Sequence, residues 1–214
     1  MHQDGGIGKT HAPEWRAADH SESSRRLELL TCSEAHNYPL YYFVTSFTGD
    51  GRYMVFHSER SGWVQLHRLD MQTGEIVQLT DGRTYDAGWG SWCQWHLRGI
   101  YNHLSALNPV RNEVYYFQDD EIRCAEVATI ANRRVTTLPP GRMPIGQSAF
   151  SPDGRHFAFL HADAELMTRT LRDGEALANM NQTQRLARRD TRKLMGGTAL
   201  GVIDTETGAC RQVR

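Results

Sequence analysis

Along most of the chain, apolar and polar side chains alternate in short runs, and breaks containing Gly, Asp or Asn separate the runs. Alternation with a period of two marks a strand with one buried face. Residues 41–47 (YYFVTSF), 53–58 (YMVFHS), 63–69 and 76–80 predict four such strands. Between them, TGDGR (48–52), the segment 59–62 and DMQTGE (70–75) read as turns, where glycine supplies a positive φ. Four short strands joined by short connections predict an antiparallel meander of about 40 residues, the size of one propeller blade.

The unit is written again further on. Residues 103–108, 113–118, 121–127 and 133–138 form a second set, with PVRN (109–112) as its first turn. A third set begins at 146–151, turns at PDGR (152–155) and continues through 156–161. It resumes at 198–204, turns at TETGA (205–209) and ends near Val213. The expected fold is all-β: an incomplete β-propeller of about three four-stranded antiparallel blades, at about 41–82, 101–142 and 146–214. Residues 1–26 are polar and read as a mobile leader or a loosely docked arm, and 27–214 as the partial propeller. Two insertions, 83–100 and 162–197, interrupt the repeat, and the second has helical composition over 164–172 and 175–195. Long insertions on a repeat scaffold are where binding surface tends to lie.

A closed propeller needs about 4–8 blades. Three leave apolar faces uncovered, so the sequence is expected to be the N-terminal portion of a longer propeller, with self-association through open blade faces as the second expectation. A hydrophobic fraction of 39% and a charged fraction of 23% fit a folded chain rather than a disordered one. The net charge of -1 supplies no global field for nucleic acid or an acidic membrane, so neither is expected as a partner. The opening residues have no signal-peptide core, and no stretch is apolar enough to span a bilayer. Cys32, Cys93, Cys124 and Cys210 stand apart, without CxxC spacing, so the expected location is cytoplasmic. GGIGK (5–9) lacks the spacing of a phosphate loop, and no strand precedes it.

The segment RLELLTCSEAHNYPLYYFVTSFTGDGRYMVFHSERSGWVQLHRLDMQTGEIVQLTDG (26–82) resembles the opening of the oligogalacturonate lyase family. The points of likeness are a short Leu-Thr segment, the His36-Asn37-Tyr38 stretch and the LD…TG…QLTDG run that ends the first blade. A weaker likeness continues through NPVRNEVYYF (108–117) and FSPDGRHFAF (150–159) to the turn at Thr207-Gly208. The resemblance implies a seven-bladed propeller that cleaves short oligogalacturonates of pectin by β-elimination, with a divalent metal, manganese, as cofactor and an acidic oligosaccharide as partner. In such a reaction a cation neutralises the uronate carboxylate and acidifies the adjacent C–H, and a base removes that proton as the glycosidic oxygen leaves. The family's metal ligands and catalytic pair are expected beyond Arg214, so no catalytic or metal-binding residue is carried onto this chain, which is expected to be inactive alone. SPDGR and LDxxTGE also occur in TolB-like and peptidase propellers. A non-catalytic TolB-like module that binds protein or carbohydrate is therefore the alternative reading, and a peptidase propeller a third.

Four residues are candidates for substrate binding: His36, His96, Arg98 and His103. His36 precedes the first blade, where a histidine faces either the axial funnel or solvent. His96 and His103 flank Arg98 at the end of the first insertion, a set able to hold a carboxylate or simply to seal the gap between blades. Trp89, Trp92 and Trp95 suit either a sugar-stacking platform or one face of a short helix packed on the sheet. His57 and His67 fall on adjacent strands, where a cross-strand pair is possible, but two histidines make a poor metal site and a solvated sheet face is the simpler reading. His156 and His161 fall on opposite faces of one strand and cannot chelate together. Arg185, Arg188, Arg189, Arg192 and Lys193 form a basic stripe with helical spacing, read as a solvated helix face or a dock for an acidic partner. No Ser/His/Asp order, nucleophile elbow or HExxH occurs.

Overall fold

The turns carry much of the local information in this fold, and two kinds recur with the same hydrogen bonds. In TGDGR, Thr48 Oγ1 donates to Asp50 Oδ1 at 2.6 Å, and Asp50 Oδ1 accepts the Arg52 N–H at 3.0 Å. In SPDGR, Ser151 Oγ and Arg155 N–H make the same two bonds to Asp153 at 2.6 and 3.0 Å. In the other kind, Asp70 Oδ1 accepts from the Gln72 and Thr73 amides, as Asp204 Oδ1 does from Glu206 and Thr207. Aspartate two residues before a free N–H forms such turns without tertiary help.

The computed structural model describes residues 6–18, 27–85, 98–101, 104–167 and 197–213. In chain order the strands are β1 (Thr10–His11), β2 (Arg16–Ala18), β3 (Leu27–Leu29), β4 (Asn37–Pro39), β5 (Tyr53–Ser58), β6 (Gln65–Asp70) and β7 (Ile76–Gln78). They continue with β8 (Ala106–Asn108), β9 (Glu113–Gln118), β10 (Glu121–Glu126), β11 (Asn132–Thr137), β12 (Arg142–Phe150), β13 (His156–Asp163), β14 (Ala199–Asp204) and β15 (Cys210–Val213). Three antiparallel meanders result: β4-β5-β6-β7, with β1 added beyond β7; β8-β9-β10-β11; and β12-β13-β14-β15. β2 and β3 form a separate two-stranded hairpin. Residues 164–167 make a single helical turn, and the rest of the second insertion lies outside the described residues.

Successive sheets pack face to face. Val55, Leu66 and Leu79 of the first sheet bury against Leu107, Val114, Tyr116 and Ala125 of the second. The other face of the second sheet, with Tyr115, Phe117, Ile122 and Cys124, buries against Phe157, Phe159 and Ile203 of the third. The first strands β8 and β12 approach one another, and Ser148 Oγ donates to the Leu104 carbonyl between them. The first turns of neighbouring sheets also join: Gly49 N–H donates to Asn112 Oδ1 at 3.0 Å, and Asn108 Nδ2 to the Gly154 carbonyl at 2.8 Å. The three sheets therefore point the same way, with matching turns at a common end.

Two expectations are corrected here. The first strand of the first sheet starts earlier than 41–47, at Asn37–Pro39, pairing Tyr38 with His57 and Pro39 with Phe56. Of 41–47 only the end returns to β5, where the Ser46 carbonyl accepts the Val55 N–H at 2.7 Å and Phe47 bridges Met54. The aromatic run Tyr41-Tyr42-Phe43 instead loops out, with Tyr42 84% exposed. The leader is also not a loose arm over its whole length. Thr10 pairs with Val77 and His11 with Ile76, and Trp15 packs on the Phe56, Leu69 and Ile76 face of the first sheet together with Leu30.

Candidate functional site

Antiparallel order sorts the connections into two ends. One end carries the Asp-Gly and Thr-Gly turns together with the longer passage from β4 to β5, and the other end has short turns of its own at Asp119-Asp120 and 138–141. The second end also carries the turn 59–64, the long passage from β7 to β8 and the long passage from β13 to β14, and His36 enters the first sheet there. The first end holds a polar cavity of about 610 Å³ beside Arg52, Arg68, Asp70 and Glu75, and the second end carries the long passages on which binding residues tend to lie.

At that end, Arg98 is held by an unusual crossing. Val64 N–H donates to the Arg98 carbonyl at 2.8 Å, and Ile100 N–H to the Val64 carbonyl at 3.0 Å. Thr84 and Gly99 exchange both their N–H groups, at 2.8 and 3.0 Å. Gly99 sits at φ 124°, and a Cβ there would lie 2.1 Å from the Val64 carbonyl oxygen, so only glycine fits. The Gln65 amide fixes the neighbouring strand exit: its Oε1 accepts from Gly82 N–H and the Thr80 hydroxyl, and its Nε2 donates to the Gly82 carbonyl.

This frame places the Arg98 guanidinium 4.7 Å from the Tyr85 ring centroid and 5.8 Å from that of Trp63, and the two rings lie 6.2 Å apart, edge to face. Arg98 is exposed, Tyr85 is 67% exposed and Trp63 is half-buried. Among the described residues no carboxylate pairs with Arg98. A guanidinium resting on aromatic faces keeps in-plane N–H groups for a planar acceptor, and the rings beside it offer flat apolar surface. The arrangement suits a ligand that is both a sugar and an anion.

His36 lies at the same end but in a different setting. Its Nδ1 is 3.4 Å from Glu59 Oε2, its ring meets Tyr38 edge-on, and Tyr38 Oη donates to Glu59 Oε1 at 2.9 Å. Its partners are thus Glu59 and Tyr38, whereas Arg98 meets Trp63 and Tyr85, so the two candidates share none. His96, His103 and the three tryptophans Trp89, Trp92 and Trp95 lie outside the described residues, as does the Arg185–Lys193 stripe. Sequence reasoning missed Trp63 and Tyr85; a Trp and a Tyr on either side of a strand-turn-strand segment near Arg98 were the only signal.

His57, His67 and His161 are buried in the sheets. His57 pairs across with Leu66 and His67 with Phe56, so the two rings lie on opposite faces rather than side by side. Both are fully buried, not solvated. His57 Nε2 contacts Ser105 Oγ at 3.2 Å. Burial, and then the Arg60 charge, hold His67 well below the ordinary histidine pKa, so it stays neutral. His156 and His161 do lie on opposite faces; His161 is buried, and its Nδ1 accepts from Arg142 Nε at 2.9 Å.

Among the described residues no group of three His, Cys, Asp or Glu side chains converges as metal ligands. Among the described residues the close histidine pair, His11 and His67 at 6.0 Å between rings, lies beside the Arg60 cation, which repels a metal ion. These residues do not fit manganese.

The stacked four-stranded meanders define the class: a partial β-propeller. No protein-family model matches the sequence, and no curated protein matches it. Solved structures do. An oligogalacturonate lyase in complex with manganese superposes with a TM-score of 0.68 at 17% identity, over 96% of this chain and 48% of that one. An oligogalacturonate lyase from Vibrio parahaemolyticus gives 0.68 at 15% identity, over 97% of this chain and 49% of that one. A putative TolB from Agrobacterium tumefaciens matches at a TM-score of 0.48 and 12% identity, over 95% of this chain and 63% of that one. At such identities the likeness is one of fold, and the chain spans about half the length of the lyases it matches. No helix among the described residues is long and apolar enough to cross a membrane.

Proposed function

We propose that this chain is a portion of an oligogalacturonate-lyase-like propeller that binds short acidic oligosaccharides of pectin at the end carrying Arg98. The observation behind this is the Arg98 guanidinium resting on Tyr85 and Trp63 with no described carboxylate paired to it. In this reading Arg98 takes a uronate carboxylate through paired N–H donors, and the rings take the apolar face of a sugar. The fold shared with the two lyases supports the substrate class. β-Elimination needs a base at the C–H beside the carboxylate, and no described residue is assigned that role. In this reading the base belongs to the later blades of the propeller, and this chain contributes binding rather than cleavage.

The test is calorimetric titration of the chain with trigalacturonate and with neutral trigalactose. Preferential binding of the acidic sugar, lost in Arg98→Met, supports the reading; equal binding of both sugars, or of neither, sinks it. A parallel ultraviolet assay for the conjugated, unsaturated product of elimination is expected to stay flat for this chain.

A further inference from the structure

The cavity of about 610 Å³ at the first end has no part in the Arg98 site. Register fixes what faces it. Tyr53 and Val55 turn toward the second sheet. Across the ladder Asp70 pairs with Tyr53 and Arg68 with Val55, and Arg68 pairs on its other side with Val77, next to Thr10. The cavity therefore lies on the face of the first sheet that looks to the second, and all the residues lining it are described. Sheets packed at either end of the array do not cover it.

Arg52 and Asp70 cancel. Arg52 Nε and Nη2 donate to Asp70 Oδ2 at 3.2 and 2.8 Å, and Asp70 Oδ1 is taken by the Gln72 and Thr73 amides. Arg68 and Glu75 do not. Arg68 is half-buried: its Nη1 donates to the Val127 and Ala128 carbonyls of the β10–β11 turn, and its guanidinium lies 4.7 Å from the Tyr53 ring centroid. Its Nε is buried with no partner. Glu75 is exposed. Among the described residues neither makes an ion pair. Yet Arg68 pairs with Val77, two positions on from Glu75, so the two are diagonal neighbours on one face, about 7–8 Å apart. Their side chains are long enough to meet, and the two carbonyls hold Arg68 away.

A half-buried cation with no counter-ion and a donor to spare calls for an acceptor from outside. The free carboxylate beside it calls for a donor. With the charges of Arg52, Arg68, Asp70 and Glu75 summing to zero, a simple anion meets Glu75 and a simple cation meets Arg68. A ligand carrying both signs matches the wall.

We propose that this cavity binds a small zwitterion, a free amino acid or a dipeptide, with its carboxylate on Arg68 and its ammonium on Glu75. The volume lies within the range of about 300–1,000 Å³ usual for small-molecule sites. The site uses other residues than the Arg98 reading, at the other end of the sheets, and does not rest on it.

Ligand-observed NMR titration of the full chain with glycine and with glycylglycine tests this. At least one is expected to bind, and the tighter of the two distinguishes an amino-acid site from a dipeptide site. N-acetylglycylglycine lacks the ammonium and glycylglycine amide lacks the carboxylate; each is expected to bind about tenfold more weakly than glycylglycine, the worth of one charged hydrogen bond. Glu75→Gln, a change at an exposed position, should erase the preference over the acetylated probe. Arg68→Met, checked for retained β signal by circular dichroism, should erase the preference over the amide; if it does not fold, Glu75→Gln decides alone. Arg98→Met should leave every constant unchanged, so this reading and the sugar reading fail separately. The proposal is overturned if neither zwitterion binds, if the acetylated probe binds as tightly as glycylglycine, or if Glu75→Gln keeps the wild-type preference.

Discussion

Substituting Arg60 by Met isolates what fastens the leader to the first sheet. The Arg60 side chain is 4% exposed; it donates to Glu14 Oε1 at 2.9 Å, Ser58 Oγ at 2.9 Å and Asn37 Oδ1 at 3.1 Å, and its guanidinium lies 5.5 Å from the Phe56 ring centroid. Glu14, 19% exposed, also accepts the Cys32 and Ser33 amides at 3.0 and 3.2 Å. Methionine keeps the stem packing on Phe56 and removes the charge. Breaking a buried pair costs about 3–5 kcal/mol. Glu14 keeps two N–H donors and some water, so the expected cost of Arg60→Met falls at the low end, about 3 kcal/mol. Glu14→Gln leaves the more deeply buried charge unpaired and is expected to cost at least as much. The double variant should cost less than the sum, with a coupling of about 2 kcal/mol. Urea unfolding measures the total. Hydrogen exchange at Gln78 locates it, because that amide bonds to the Lys9 carbonyl at 2.9 Å and opens when the leader leaves. An Arg60→Met cost below about 0.5 kcal/mol, with Gln78 still protected, would refute the clamp.

Three further outcomes are expected. Gly99→Ala brings a methyl against the Val64 carbonyl in a backbone region suited to glycine, so stability should drop by about 2–4 kcal/mol and acidic-sugar affinity should fall with it; urea titration and calorimetry read the two. Asn108→Ala strips partners from the Gly154 carbonyl and from the Val110 and Arg111 amides at a buried joint, for about 2–3 kcal/mol by the same denaturation. His67 is kept neutral by burial and then by Arg60, and His11 and His161 shift downward too, chiefly through burial. Unfolded histidines take protons below pH ~6.5 while these buried ones resist, so melting temperature should fall as pH drops through that value and level off above it. His67→Leu should flatten the slope, and an unchanged slope would count against the assignment.

The hairpins were legible because their information is local. The pattern predicts a strand at 113–118, which is β9, since the PVRN turn and the alternation of EVYYFQ lie within a few residues of each other. The pattern places a whole strand at 41–47 because the aromatic run has high β propensity, whereas only Ser46 and Phe47 of it reach β5 and the strand proper forms where Tyr38 meets His57. Glu14 reaching Arg60, and Thr10 pairing with Val77, join positions far apart in sequence and carry no local pattern. Of the candidate site, the sequence reveals Arg98, a cation between His96 and His103. Trp63 and Tyr85 became its partners only through the crossing at Gly99, which no periodicity announces.

The sorting of turns to one end has an evolutionary reading. Asp50, Asp70, Asp153 and Asp204 close their turns with bonds that ask nothing of the opposite end. Lineages can therefore lengthen, shorten or replace the segments between β7 and β8, or between β13 and β14, while the aspartate-closed turns keep the hairpins in register. The same division marks where a designer should diversify residues in a library built on this scaffold: the end with long passages tolerates novelty, and the end with four aspartate locks does not.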